Sequence, residues 1–223
     1  METAMDRELL NNYARLIARS GINVMAGQEV VIRSAVEQTG FVGLLVEECY
    51  LAGASKVTVD WRFQGADRLD IKYQSPETLG RVEPWQEARL KERAEKLPAM
   101  IYLDSEDPDG MAGIDHEKWA KAQQERYKIT RPYSDAMENK YQWCVAAVPG
   151  VKWAKKLFPE LRASQAVEKL WEAILKTSRV TDDPIQAWED HNKDLHDRCE
   201  YLNSLHIRSL HYTCLLYTSD AAD

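Results

Sequence analysis

Two stretches concentrate the side chains that could do chemistry. The first is DSEDPDG, residues 104–110, four carboxylates in seven positions. Such a run could wrap a hard cation with oxygen ligands. A calcium-binding helix–loop–helix requires glycine sixth in its loop and a bidentate carboxylate twelfth. With Gly110 sixth, the first position is Ser105 and the twelfth is His116, and neither fits. The composition therefore reads as a polar turn between a strand and a helix, with Asp115 placed to cap that helix. The second stretch is HNKDLHDRC, residues 191–199, with two imidazoles, three acids counting Asp190, and a thiol. Zinc peptidases place two histidines four apart on a helix so that both rings aim one way. His191 and His196 are five apart, and on a helix they diverge by well over a right angle. A solvated charged face is expected there. His206 and His211 are also five apart, and on a strand that odd spacing puts them on opposite faces.

Other templates are missing. There is no G-x-S-x-G, no G-x-x-x-x-G-K-[ST] and no G-x-G-x-x-G. Gly40 and Gly43 fall inside a helical run, where they are expected to let helix and strand pack closely. Trp153, Trp171 and Trp188 fall at helical spacing and are expected as core or interface anchors. From the residues themselves, no position is assigned a catalytic, cofactor-binding or metal-ligating role.

The elements that would position any site are clearer. Helical periodicity over 6–20 ends at Gly21, and VVIRS follows as a short β-branched run. A helix over 41–53 and the strand KVTVDW (56–61) complete a strand–helix–strand unit with short connections. Residues 62–82 are less regular. Pro84 opens a helix closed at Pro98, and AMIYLDS (99–105) is a third strand. A helix from Asp115 to about Arg131 and a second one near 133–140 precede a fourth strand over 142–148, stopped by Pro149-Gly150. The spacing then predicts helices over 151–159, from a Ser164 cap to residue 178, and from Asp183-Pro184 to about residue 204. Strands near 29–34, 56–61, 99–105 and 142–148 alternating with helices predict an α/β fold, a doubly wound and mostly parallel sheet. Leu205–Thr213 alternates as a strand.

Composition limits the partners. The 223 residues carry 29 basic and 36 acidic side chains, a net charge of −7, which leaves no electrostatic footprint for nucleic acid or an anionic membrane. No apolar run approaches a membrane span, and METAMDRELLNNYARL has no secretory core. Four scattered cysteines, Cys49, Cys144, Cys199 and Cys214, form no C-x-x-C pair. A reduced, cytoplasmic protein is expected.

Three longer passages together carry a resemblance. RLIARSGINVMAGQEVVIRSAVEQTGFVGLLVEECYLAGASKVTVDW (15–61) resembles the opening of the thermophilic metalloaminopeptidases of the aminopeptidase T, S and II type, including the phrase Gly53-Ala54 through Trp61. WCVAAVPGVKWAKKLFP (143–159) and LWEAILKTSRVTDDPIQAWEDHNKDLHDRCEYLNSLHIRSLHYT (170–213) are similar to two later passages of the same family. The likeness runs in order from residue 7 to 213. It implies a cytoplasmic homodimer that removes N-terminal amino acids from peptides with two divalent metal ions, zinc or cobalt. The family's ligands lie downstream of the strand that ends at Tyr212-Thr213, so none is carried onto this sequence. The resemblance divides the chain into an N-terminal α/β domain (1–204), the start of a metal-binding catalytic domain (205–213) and a non-native read-through tail (214–223). The alternative is a self-sufficient flavodoxin-like module that binds a small molecule or partner near Asp104–Gly110.

Overall fold

The computed structural model describes residues 6–211. In it, α1 (Arg7–Leu16) runs on as one π turn (Ile17–Gly21), followed by β1 (Glu29–Ala35), α2 (Thr39–Leu51) and β2 (Lys56–Arg62). Next come α3 (Gln64–Tyr73), α4 (Pro76–Gly80), α5 (Pro84–Lys96), β3 (Ala99–Asp104), α6 (His116–Met137) and β4 (Trp143–Ala147). The last elements are α7 (Val151–Leu157), α8 (Ala163–Thr177) and α9 (Pro184–Ser204). All four expected strands lie in one sheet of order β2-β1-β3-β4, and every pairing is parallel. Parallel neighbours need a crossover between them, and the helices supply it. The order matches the first four strands of the flavodoxin-like doubly wound arrangement.

The main core lies on one face of the sheet. Val30 and Ile32 of β1 and Ile101 and Leu103 of β3 meet α1, α2 and α8 through Leu16, Phe41, Leu45, Leu170 and Ile174. Ile32, Leu45 and Ile101 are fully buried, each stabilising the fold by about 1.5–3 kcal/mol. Trp171 is the anchor expected of it. It packs edge-on to Tyr13 at 6.2 Å and tilted against Phe41 at 5.4 Å. The Tyr13 hydroxyl donates to Ala147 O at 3.1 Å, tying α1 to β4. The opposite face buries Val31 and Met100 with Ile71, Val82, Ala122 and Met137. There Asp60 of β2, 7% exposed at its side chain, is held by Arg93 at 2.6 Å and Arg89 at 3.1 Å from α5.

Several local expectations change. Residues 64–80 form two helices, α3 and α4, the second capped by Ser75 accepting from Thr78 N at 3.2 Å. α6 continues through Pro132 instead of splitting. Proline removes one hydrogen bond, but the Arg131–Asp135 pair (3.1 Å) and the Tyr133 hydroxyl donating to Glu87 (2.9 Å) hold both sides of it. α8 starts at Ala163, so Ser164 lies inside the first turn and does not cap; Gln165 accepts from Arg162 N at 3.3 Å instead. Gly40 and Gly43 are exposed, and a Cβ at either would meet nothing within 4 Å. They face outward from α2 and are not there for close packing. Leu205–His211 is a turn followed by irregular, exposed backbone. Among the described residues no neighbouring strand pairs its N–H and C=O groups, so the alternation of side chains does not make it a strand. The rest of that expected strand, and the tail at 214–223, lie outside the described residues. Among the described residues no helix is long and apolar enough to cross a membrane.

Candidate functional site

In open α/β sheets the natural ligand position is the crevice beyond the carboxyl ends of the strands, where the strand order reverses. Here that point lies between β1 and β3, since β1 connects outward to β2 and β3 to β4. A cavity of about 340 Å³ opens beside it, lined by Asp104, Glu106, Asp107 and Pro108 after β3, Met111, Gln64 of α3 and Trp153 of α7.

The acidic loop forms the rim, and most of its charge is already matched. Lys152 meets Asp107 at 3.1 Å, Lys156 meets Asp109 at 2.6 Å and Arg62 meets Glu106 at 3.3 Å. Gln64 clasps the backbone of Asp107 twice, donating to its O at 3.2 Å and accepting from its N at 3.1 Å. Arg68 donates to Gly110 O and Ala112 O at 3.1 and 2.8 Å. Gly110 lies against Gln64, whose amide would be 2.4 Å from an added Cβ. Burial works to raise the pKa of the Asp107 carboxyl, but the hydrogen bond from Asp109 N–H and the neighbouring Lys152 hold it below the usual carboxylate range. The loop ends where expected, with Asp115 accepting from Lys118 N at 2.9 Å to cap α6.

Asp104 differs from its neighbours. It is exposed, lines the cavity, and its carboxylate has no ionic or hydrogen-bonding partner among the described residues. Ser105, next in sequence, turns to the other face and is buried. Its backbone is pressed by the β4–α7 turn so closely that a Cβ on Gly150 would sit 2.1 Å from Ser105 O. Pro149 and Gly150 therefore do more than stop a strand: only glycine lets α7 begin this near β3.

The histidines stay apart. His191 rests edge-on against Trp188 at 5.5 Å, while His196, His206 and His211 are exposed. Trp188 donates to Ser178 O at 2.8 Å, and Trp153 is half-buried between the core and the cavity. Cys49, Cys144 and Cys199 are free thiols, and Cys214 is outside the described residues. Among the described residues no three His, Cys, Asp or Glu side chains come together as a metal site. Sequence reasoning did not single out Gln64, Arg62, Lys152 or Lys156. The three lysines of VKWAKK, directly after a strand end, were the available signal for a partner to the acidic loop, and two of them, Lys152 and Lys156, reach it.

Comparison with known proteins places this scaffold. Residues 6–218 match the family model described as thermophilic metalloprotease (M29). The chain belongs to that family. Within it, the chain is similar to Aminopeptidase AmpS of Bacillus subtilis (strain 168), 34% identical over 205 residues, covering 91% of this chain and 50% of the relative. It is 33% identical to Aminopeptidase T of Thermus thermophilus, covering 91% and 50%. The solved structure of wild-type AmpT from Thermus thermophilus superposes with a TM-score of 0.79 at 31% identity, covering 90% of this chain and 49% of that one. The chain thus spans about half the length of the curated relatives it matches, and the likeness covers the whole α/β scaffold.

Proposed function

We propose that this chain is the N-terminal half of a metal-dependent aminopeptidase that removes N-terminal residues from peptides, acting as a cytoplasmic homodimer. Residues 1–204 serve as its α/β domain, and the segment from 205 leads into a second half that carries the catalytic groups. The observation that carries this reading is 34% identity over 205 residues to an aminopeptidase of which this chain covers 50%. A pair of divalent ions, zinc or cobalt, would polarise the scissile carbonyl and supply hydroxide from bound water near neutral pH. No residue from 6 to 211 is assigned to hold them. The role of this half is to present a rigid sheet edge and its loops to the second half. Self-sufficient binding as the whole function is the weaker reading, because the match to aminopeptidases runs through every element.

The reading is tested with a chimera in which this chain replaces the matching half of Thermus thermophilus Aminopeptidase T. The expected result is release of leucine from a leucyl peptide that disappears with EDTA and returns with zinc or cobalt. A chimera that folds, shows the parent's metal content and has no activity would contradict it.

A further inference from the structure

On the sheet face that α5 covers, three arginines gather around one carboxylate. β1 places Arg33 between Asp60 of β2 and Tyr102 of β3, its register partners on either side. Register partners in a sheet carry their side chains on the same face. Above them, Arg89 and Arg93 stand about one turn apart on α5. They take the two Asp60 oxygens separately, Arg93 at 2.6 Å and Arg89 at 3.1 Å. Arg33 is left out. It is exposed and has no ionic or hydrogen-bonding partner among the described residues.

The charges there do not balance. Three guanidiniums share one carboxylate, which leaves two positive charges over around Asp60. The donors are equally unspent. A guanidinium carries five N–H groups. Among the described residues Arg89 and Arg93 each donate one side-chain hydrogen bond, both to Asp60, and Arg33 donates none. Arg93 is only 12% exposed, so water screens its charge poorly. Arg89 is steadied by Trp85, whose ring centre lies 5.4 Å from its guanidinium carbon. The Tyr102 phenol marks where the cations converge. Burial and the adjacent Tyr141 push it up to about 12, while Arg33 and Arg93 both pull the other way. It is therefore a neutral hydroxyl in the field of two cations. Beyond it on the same face, Val145 and Trp143 of β4 are 58% and 59% exposed.

We propose that Arg33, Arg89 and Arg93 form a binding site for a phosphate dianion, free or carried as the monoester of a small apolar molecule. Its two charges match the two that Asp60 leaves over. Its oxygens accept from guanidiniums at two levels, α5 above and β1 below, a geometry that suits a tetrahedral oxyanion better than a planar carboxylate. An ester group would lie along Tyr102 and Val145. Asp104 follows two residues after Tyr102 on this face, its Cα about 8 Å from that of Arg33, and there it opposes an anion. The site is separate from the acidic cavity beyond β3 and needs no metal and no covalent step. It stands independently of the peptidase reading, so inactivity of the chimera above would leave it intact.

The test is an NMR titration of the 223-residue chain, following the arginine Nε–H signals at about pH 7.5, where a phosphate monoester is a dianion. The probes are inorganic phosphate, phenyl phosphate and acetate at matched ionic strength. The signals of Arg33, Arg89 and Arg93 should move, while that of Arg198 on α9 stays. The better phosphate probe should bind at least about tenfold tighter than acetate. Tighter binding of phenyl phosphate than of inorganic phosphate identifies the ligand as a monoester; the reverse, or equality, identifies the free ion. Arg33→Met should weaken phosphate binding about tenfold, and Arg33→Lys, which keeps the charge without the fork, should recover part of it. Asp104→Asn should tighten it about threefold by removing a like charge. Both positions are exposed, so thermal unfolding of each variant should match the parent. The proposal fails if neither phosphate probe binds at millimolar concentration, if acetate binds as tightly, or if Arg198 responds with the other three. It fails equally if folded Arg33→Met keeps the parent's affinity or if Asp104→Asn lowers it.

Discussion

Asp60 shows how a single carboxylate can organise one layer of this fold. It lies on edge strand β2 under α5, with Arg93 only 12% exposed beside it and Arg89 at 44%. Asp60→Ala removes two charge-assisted hydrogen bonds and leaves Arg93 without its counter-charge. The expected loss is about 2–3 kcal/mol, nearly all from the Arg93 side, since the exposed Arg89 is screened. A stability loss from urea unfolding of less than about 0.5 kcal/mol would show the pair to be incidental. Buried neutral groups give the pH behaviour. Burial pushes Cys49 from 9.0 to about 12 and Tyr13 from 10.0 to about 12. Both pKa values are higher in the folded than in the unfolded chain, so unfolding releases protons at alkaline pH. Stability from these groups is whole below pH 9 and falls as pH rises toward 12. Urea titrations between about pH 8 and 11 should show the midpoint dropping above about pH 9; a flat profile would mean these groups are not sealed in the core. At this scale the sequence was least legible. DSEDPDG departs from the spacing of a calcium loop, and its partners Lys152, Lys156, Arg62 and Gln64 come from three other elements. No spacing rule links them.

The elements were more legible, and the reasons are local. β-branched runs such as VVIRS and KVTVDW carry a strong strand preference, and Gly53, Pro98 and Pro149 punctuate them. The failures have equally local causes. Residues 64–80 have short helices whose apolar positions are few, so periodicity is weak there. Pro132 signalled a break that flanking side-chain pairs override. Leu205–Thr213 has strand alternation, yet a strand exists only by pairing, and Leu205–His211 is unpaired among the described residues. α9 is the most divided element. Pro184 is buried and Ile185 and Trp188 pack on the core, whereas Asn192–Ser204 is exposed throughout. Its amides from Leu195 to Ser204 should exchange with solvent at least about tenfold faster than those of Leu170–Leu175 in α8, whose apolar face is buried. Equal protection would show that the distal half of α9 is stabilised by something other than contacts with this scaffold.

For the whole molecule, the fold and the function separate cleanly. A doubly wound sheet of order β2-β1-β3-β4 could host many chemistries. What places the chain in a family is its continuous likeness to the thermophilic metalloproteases, and it spans half the length of its aminopeptidase relatives. As proposed above, these residues form the scaffold half of an aminopeptidase, and the metal chemistry lies in the other half. The most direct measurement is the rate of leucine release from leucyl-p-nitroanilide by the purified 223-residue chain, with zinc or cobalt added. The expected rate equals that of the metal-only blank at every metal concentration. Metal-dependent release that scales with protein concentration, and that is lost in a His191→Ala or His196→Ala variant, would contradict it and place a catalytic site on α9.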